Sequence, residues 1–493
     1  MTVRTHYRQP ELPEYQGNPC EEALPPILSD LQVLELLTNL PPYSEDDRLA
    51  PPHVRLHMLD RLLDVFQAQP EHLRLTRTIS RLIRLGYKSR NPILPAYANL
   101  AYRLATQDFA TVKPPAGFAK CRKAAYMTGL SGIGKTSLNE RALGVYPQVI
   151  VHRRYRGKPF IQTQIPWIKV DCPHDGSLRT FLLSIFLIID DLVPGNNYFQ
   201  QYSRIRGGTE VLVPVAARLM HSFLVGLVNV DELNNLTSAP RGGKAKFLNF
   251  TLNLTNKVGV PFLYTGTNES AKLFKGRVRN ARRLSYGGDI QLERYSVDDP
   301  RWRLFLETLW HYQFTKSKVP LDDGMARAMH DASQAITDIA VAIYMCVQEN
   351  AINRGGEELF DTNDIAKAVP LHISILQPAL EVLRRGDKAA YEQFRELLPP
   401  ADQWWSTLET PEEKVDIDKL VKALEDLRAA QMQTSSAAKK SASGDSSNST
   451  GNDGDAIDGA PSNDGETLDS GDMRTPMPDL DAHALKLKKT GRK

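Results

Sequence analysis

Gly129-Leu130-Ser131-Gly132-Ile133-Gly134-Lys135-Thr136 fits the pattern G-x-x-x-x-G-K-[ST], and the reading of this octapeptide decides the fold. A short apolar run, Ala124 to Met127, precedes it, and a helical pattern, Ser137 to Ala142, follows. Strand, glycine loop and helix in that order are what a phosphate-cradling loop requires. The glycines admit torsions and close approach that a side chain would block. Successive N–H groups and the helix N-terminus then face a polyphosphate. Gly129, Ser131, Gly132, Ile133, Gly134, Lys135, Thr136 and Ser137 are therefore expected to hold ATP. Lys135 would reach the β- and γ-phosphates, and the Thr136 hydroxyl would sit on Mg²⁺.

The chain has 493 residues, too many for one hydrophobic core, which predicts roughly two to four domains. Its net charge of +3 neither demands nor excludes nucleic acid, so local clusters must decide. Cys20, Cys121, Cys172 and Cys346 are scattered without metal-ligand spacing and read as reduced thiols of a cytoplasmic protein. Met1 to Pro10 lacks the apolar segment of a signal peptide. The most apolar stretch, Val211 to Val230, contains Arg218 and His221 and reads as a helix running into a buried strand, so no membrane partner is expected.

Composition and periodicity divide the chain. Residues 1–110 form a proline-rich, mainly helical extension, with amphipathic patterns over His57 to Gln67 and Leu73 to Leu85, the second capped by Gly86. Residues 111–300 alternate strand and helix signals, which predicts an α/β core with a parallel sheet. Ile165 to Val170, Leu224 to Val230 and Val260 to Tyr264 read as its buried strands. Residues 301–395 are helical, and 396–431 carry a further helix starting at Thr410-Pro411-Glu412-Glu413. Residues 432–493 are rich in Ser, Gly, Asn and Asp and read as a disordered tail. Its last piece, Met473 to Lys493, reads either as a docking peptide or as a basic tail.

A second element completes the nucleotide site. Gly226 to Glu232 is an apolar strand ending in Asp-Glu. It places Asp231 near the metal and Glu232 where it can polarise an attacking water. Asn229 is the odd residue of that run: either it faces a partner across the sheet, or the strand is less buried than usual. After the next strand, Thr267 or Asn268 is a candidate to position the attacking water. Within Lys275 to Arg283, Arg282 or Arg283 is a candidate finger toward a neighbouring subunit's γ-phosphate.

These features together resemble the AAA+ ATPases and, more narrowly, the TnsC family of target-selection regulators of heteromeric bacterial transposons. The narrower resemblance rests on Tyr146 to Ile150, on Ile168 to Cys172 with His174 and Gly176 to Leu178, on Gly259 to Pro261 with Gly266-Thr267, and on Ala281 to Arg283. Outside the core it rests on Asn18-Pro19 with Glu22 to Pro26, Gly86-Tyr87 with Arg90 to Pro92, and Thr410 to Lys414. It implies an AAA+ core with an all-helical lid and a regulator that assembles on double-stranded DNA with ATP as a hexameric ring or helical filament. It implies further that the N-terminal region receives a target-selector protein or RNA-guided complex, that the C-terminal region recruits transposase subunits, and that hydrolysis resets the assembly.

Two departures stand against that pattern. Ser333 to Asp338 offers no lid arginine where many such ATPases carry one, and the tail after residue 432 is unlike the family's ending. If the protein encircles DNA, basic loops should touch phosphates. Arg241 to Lys244 with Lys246 come first, Arg204 and Arg206 second, and Arg153, Arg154 and Arg156 with Lys158 third. A scaffold that assembles on ATP without hydrolysing it and a replication-type loader ATPase are the competing expectations.

Overall fold

The side chains of the central strands alternate between two apolar layers, and this alternation builds the molecule. The computed structural model describes residues 2–115, 124–205, 207–239, 241–273, 288–386, 422–426 and 429. Its strands are β1 (Thr2–Arg4), β2 (Ala124–Gly129), β3 (Val149–Tyr155), β4 (Lys158–Gln164), β5 (Trp167–Asp171), β6 (Leu227–Asp231), β7 (Phe262–Thr267) and β8 (Asp289–Leu292). Five of them form a parallel sheet in the order β5-β6-β7-β2-β8. On one face Ala125, Met127, Leu227, Leu263, Ile290 and Leu292 share a core with Leu138, Ala142 and Leu143 of the helix Lys135–Gly144. On the other, Tyr126, Val228, Val230, Phe262 and Tyr264 pack with the helices Leu178–Leu192, Thr209–Ser222 and Arg241–Val258. Strands covered on both faces and joined by helices make the expected α/β architecture.

The N-terminal residues supply part of the first layer. In the helix Pro70–Lys88, Leu75, Ile79, Leu82 and Ile83 are buried in the same core as β2. Gly86 was expected to end this helix, yet it lies within it and the C-cap is Ser89. The reason is proximity: a Cβ on Gly86 would meet the Gly226 carbonyl oxygen at 3.0 Å and Pro261 Cδ at 3.1 Å. A mid-helix glycine costs about 1 kcal/mol, and here it lets the helix lie against the strand starts.

The pattern over His57 to Gln67 does not form one helix. The helix Pro52–Met58 passes into a 3-10 turn, Leu59–Asp64. Phe66 then exchanges backbone hydrogen bonds with Asn39 at 2.8 and 2.9 Å, and Asn39 Nδ2 donates to the Asp64 carbonyl at 2.7 Å. Tertiary pairing has overridden local periodicity.

A third core holds the helical region after residue 300, with the helices Pro300–Trp310, Asp323–Ser333, Thr337–Arg354, Thr362–His372 and Gln377–Arg385. Tyr43, Leu59 and Leu62 belong to this core as well. Arg55, fully buried, donates to the Phe314 carbonyl at 2.7 Å and to Glu358 Oε1 at 2.8 Å. The chain before residue 90 therefore straddles the sheet core and the lid. The second, smaller sheet joins β1, parallel, and β4, antiparallel, to β3. The expected helix from Thr410 and the tail 432–493 lie outside the described residues, except for Lys422–Asp426 and Ala429, which are helical.

Candidate nucleotide site

β2 ends at Gly129, and the chain turns through Gly132 (φ +78°) and Gly134 (φ +88°) into the helix starting at Lys135. Both torsions lie in the left-handed region, where a side chain is strained. Lys135 Nζ donates to the Leu130 carbonyl at 2.6 Å across the loop. Ser131, Thr136 and Ser137 are exposed, and Ile133 is buried beneath the loop.

β6 lies one strand away from β2, separated by β7, and delivers Asp231 to the loop's far side. The Thr136 hydroxyl donates to Asp231 Oδ2 at 3.4 Å, and Asp231 Oδ1 accepts from the Glu232 N–H at 2.9 Å. Burial pushes the Asp231 carboxyl above its ordinary value, against the pull of that N–H and of Lys169. Lys169 itself is raised: burial would lower it, but Glu140 and Asp231 outweigh this. Burial wins at Asp231 and the partner charges win at Lys169 because the carboxylate is far more buried than the ammonium, with side-chain exposures of 4% and 20%.

Glu232 is exposed with φ +52°, a torsion that turns the chain out of the strand. Its Oε2 accepts from Asn234 Nδ2 at 3.0 Å, and Asn234 Oδ1 accepts from the Thr267 N–H at 3.3 Å. One amide thus bridges the carboxylate to the end of β7. The Thr267 hydroxyl is buried without a hydrogen-bond partner, which a buried donor rarely tolerates. Asn268 is buried in the following 3-10 turn. Asn229 is fully buried and accepts from Asn139 Nδ2 at 2.9 Å, and Asn139 also donates to Thr265 Oγ1 at 3.2 Å. The oddity of the strand is thereby explained by a partner on the helix Lys135–Gly144.

The lid touches the loop directly. The Asp338 N–H and the Thr337 hydroxyl donate to the Gly132 carbonyl at 3.1 and 3.3 Å. Gln334 and Ala335 precede them with φ of +53° and +54°. Left-handed torsions in non-glycine residues cost about 1–3 kcal/mol each, and here they fold the turn between two lid helices onto the loop. In place of an arginine, this segment offers Thr337 and Asp338.

Among the described residues, no cluster of three or more His, Cys, Asp or Glu could hold a metal. Thr136 and Asp231 are hard oxygen donors sharing one position, which fits a Mg²⁺ completed by phosphates and water. Held there, the ion would neutralise charge on the phosphates.

Glycine loop, acidic strand end and intervening strand are thus one surface of one parallel sheet. Residues 120–274 match the family model for an AAA domain. The fold is the P-loop AAA+ fold, with a helical N-terminal region. A comparison with curated proteins gave no match. Among solved structures, the chain is similar to the Walker-type ATPase PABY2304 of Pyrococcus abyssi at 16% identity and TM-score 0.31, covering 61% of this chain and 78% of that one. It is similar to the Aeropyrum pernix Orc1 protein in complex with DNA at 20% identity and TM-score 0.31, covering 67% and 82%. Cdc6p from Pyrobaculum aerophilum gives 12% identity and TM-score 0.37, covering 74% and 96%.

The remaining expected residues of the AAA domain are dispersed. Arg282 and Arg283 lie outside the described residues, as does Arg206. Arg241 to Lys244, expected as a loop, begin the helix Arg241–Val258. A Cβ on Gly243 would stand 3.4 Å from the Gly176 carbonyl oxygen, an ordinary contact. Lys244 Nζ donates to the Thr237 carbonyl, while Lys246 and Arg204 are exposed. Arg153, Arg154, Arg156 and Lys158 stand on the β3–β4 hairpin, and Arg156 pairs with Glu22 at 3.0 Å. Lys169, Asn234, Asn139 and Thr337 were not singled out as site residues by the sequence. Among the described residues, no single helix is long and apolar enough to cross a membrane.

Proposed function

We propose that this chain is an ATP-dependent regulator of DNA transposition. Lys135 and the glycine loop bind the triphosphate, Thr136 and Asp231 hold Mg²⁺, and Glu232 activates water with Thr267 or Asn268 orienting it. Arg282 or Arg283 from a neighbouring copy completes the site, so that ATP joins subunits into a ring or filament on duplex DNA. Arg241, Lys244, Lys246, Arg204 and Arg206 contact phosphates. The N-terminal region receives a target selector, the C-terminal region engages transposase, and hydrolysis dismantles the assembly.

One observation carries the narrower reading. The N-terminal residues that resemble the TnsC family converge on a single joint. Asn18 Nδ2 donates to the Tyr87 carbonyl and Asn91 Nδ2 to the Gly17 carbonyl, both at 2.8 Å. Arg90 Nε donates to the Gly86 carbonyl at 2.9 Å, and the Tyr87 hydroxyl to the Leu224 carbonyl at 2.6 Å. Motifs separated by some seventy residues in sequence are thereby tied together and to Leu224, ahead of the strand that carries Asp231, which supports a resemblance extending beyond the AAA domain.

Electron microscopy with duplex DNA and a slowly hydrolysed ATP analogue tests this. DNA-threaded rings or helices are expected, whereas monomers under every condition would overturn the proposal. Phosphate release compared with Glu232→Gln separates an ATPase from a non-hydrolysing scaffold.

A further inference from the structure

Lys169 stands on β5 facing the same carboxylate that would take the metal. The register pairs Lys169 with Asn229 and Asp171 with Asp231, so Lys169, Asn229 and Asp231 share one face of the sheet. Lys169 Nζ lies 3.4 Å from Asp231 Oδ2, the same oxygen that accepts from the Thr136 hydroxyl. Its other partner is Glu140 Oε1 at 2.7 Å, on the helix Lys135–Gly144. The Glu140 side chain is 60% exposed and screened by solvent, whereas that of Asp231 is 4% exposed. The ammonium therefore interacts more strongly with Asp231 than its longer distance alone would indicate.

We infer that Lys169 is a positioning residue of the nucleotide site, which sets its divalent-ion affinity by sharing the Asp231 carboxylate. This rests on the nucleotide-site reading above and adds to it. An ammonium and a divalent ion drawing on one oxygen weaken each other by the same factor, because coupling between two ligands of a site is reciprocal. Without phosphates, Asp231 and the Thr136 hydroxyl face a lysine and make a poor cation site. A triphosphate adds negative charge that Lys169 cannot neutralise alone. The metal thus binds with nucleotide rather than ahead of it.

The test is titration of the full-length chain with Mn²⁺, following the free aqua ion by electron paramagnetic resonance, with and without ADP. Lys169→Met should tighten Mn²⁺ binding in the presence of ADP by about five-fold or more, the lower end of ordinary site–site coupling. It should also bring out binding without ADP, while Lys169→Arg stays near wild type. Glu140→Gln, at an exposed position that tolerates change, should weaken Mn²⁺ binding by about two-fold or more by releasing Lys169 toward Asp231. That effect should vanish in the Lys169→Met background. Lys169→Met affinity matching wild type with an unchanged melting temperature would overturn the inference, and so would a Glu140→Gln effect equal in both backgrounds. If wild type takes up no Mn²⁺ with ADP and Asp231→Asn changes nothing, the nucleotide-site reading falls, and the inference with it.

Discussion

Asn234 holds Glu232 with its amide N–H and the Thr267 backbone with its carbonyl oxygen, so the carboxylate proposed to activate water is held from β7 as well as from β6. Replacing Glu232 by Gln should lower the turnover number by about 10²–10⁴-fold, the usual worth of a positioned general base, while ATP still binds. Asn234→Ala should lower turnover less and leave KM nearly unchanged, since it removes aim rather than affinity. Steady-state phosphate release reports both. Thr267→Val removes the unpartnered buried hydroxyl; if that hydroxyl orients the water, turnover falls while stability holds or rises. The glycine loop before Lys135 and Thr136 and the strand ending at Asp231 and Glu232 were legible because each is a local pattern of a few residues. Asn139, Lys169 and Asn234 were not, nor was the identity of the partner of Asn229, because these pairings are set by strand order and register, which no local pattern carries.

At the level of elements, close backbone approach explains where periodicity misled. Gly86 looked like a helix stop, but it marks the place where the helix meets Gly226. A Cβ on Gly226 would fall 2.4 Å from the Pro166 carbonyl oxygen and 2.7 Å from the Tyr87 hydroxyl. Gly226→Ala should therefore destabilise the fold by about 1–3 kcal/mol or more, the range for overpacking, measured by urea unfolding. His152 on β3 is buried between Tyr7 and Gln164, at 2.8 and 2.9 Å, and burial pushes its pKa down to about 4. Burial and the nearby Arg90 likewise push His221 down to about 3. The unfolded chain binds these protons from about pH 6.5 downward, so this contribution to stability is whole above that pH and is lost as pH falls toward 4 for His152 and toward 3 for His221. The melting temperature should drop across that window, and His152→Gln should flatten the slope.

Over the whole molecule, the α/β core was legible from alternating strand and helix signals and the helices after residue 300 from helical periodicity, whereas the way residues 1–110 divide between them was not. Tyr43, Arg48 and Arg55 hydrogen-bond to carbonyls of Gln313, Thr315 and Phe314, while the helix Pro70–Lys88 packs on the sheet. Such partners are invisible to any window of sequence. Arg55→Met leaves Glu358 buried without its bidentate partner and should cost about 3–5 kcal/mol, seen as a lower urea midpoint.

The same arrangement bears on how the protein is made. Tyr43 leaves the ribosome 270 residues before the Gln313 carbonyl it will bond. At about 5–20 residues per second, its apolar neighbours wait roughly 15–50 s for their partners. During synthesis Leu59 and Leu62 are thus a long-lived sticky surface on the nascent chain. Slowing translation should raise the aggregated fraction, and holdase chaperones that cover the first 66 residues should lower it.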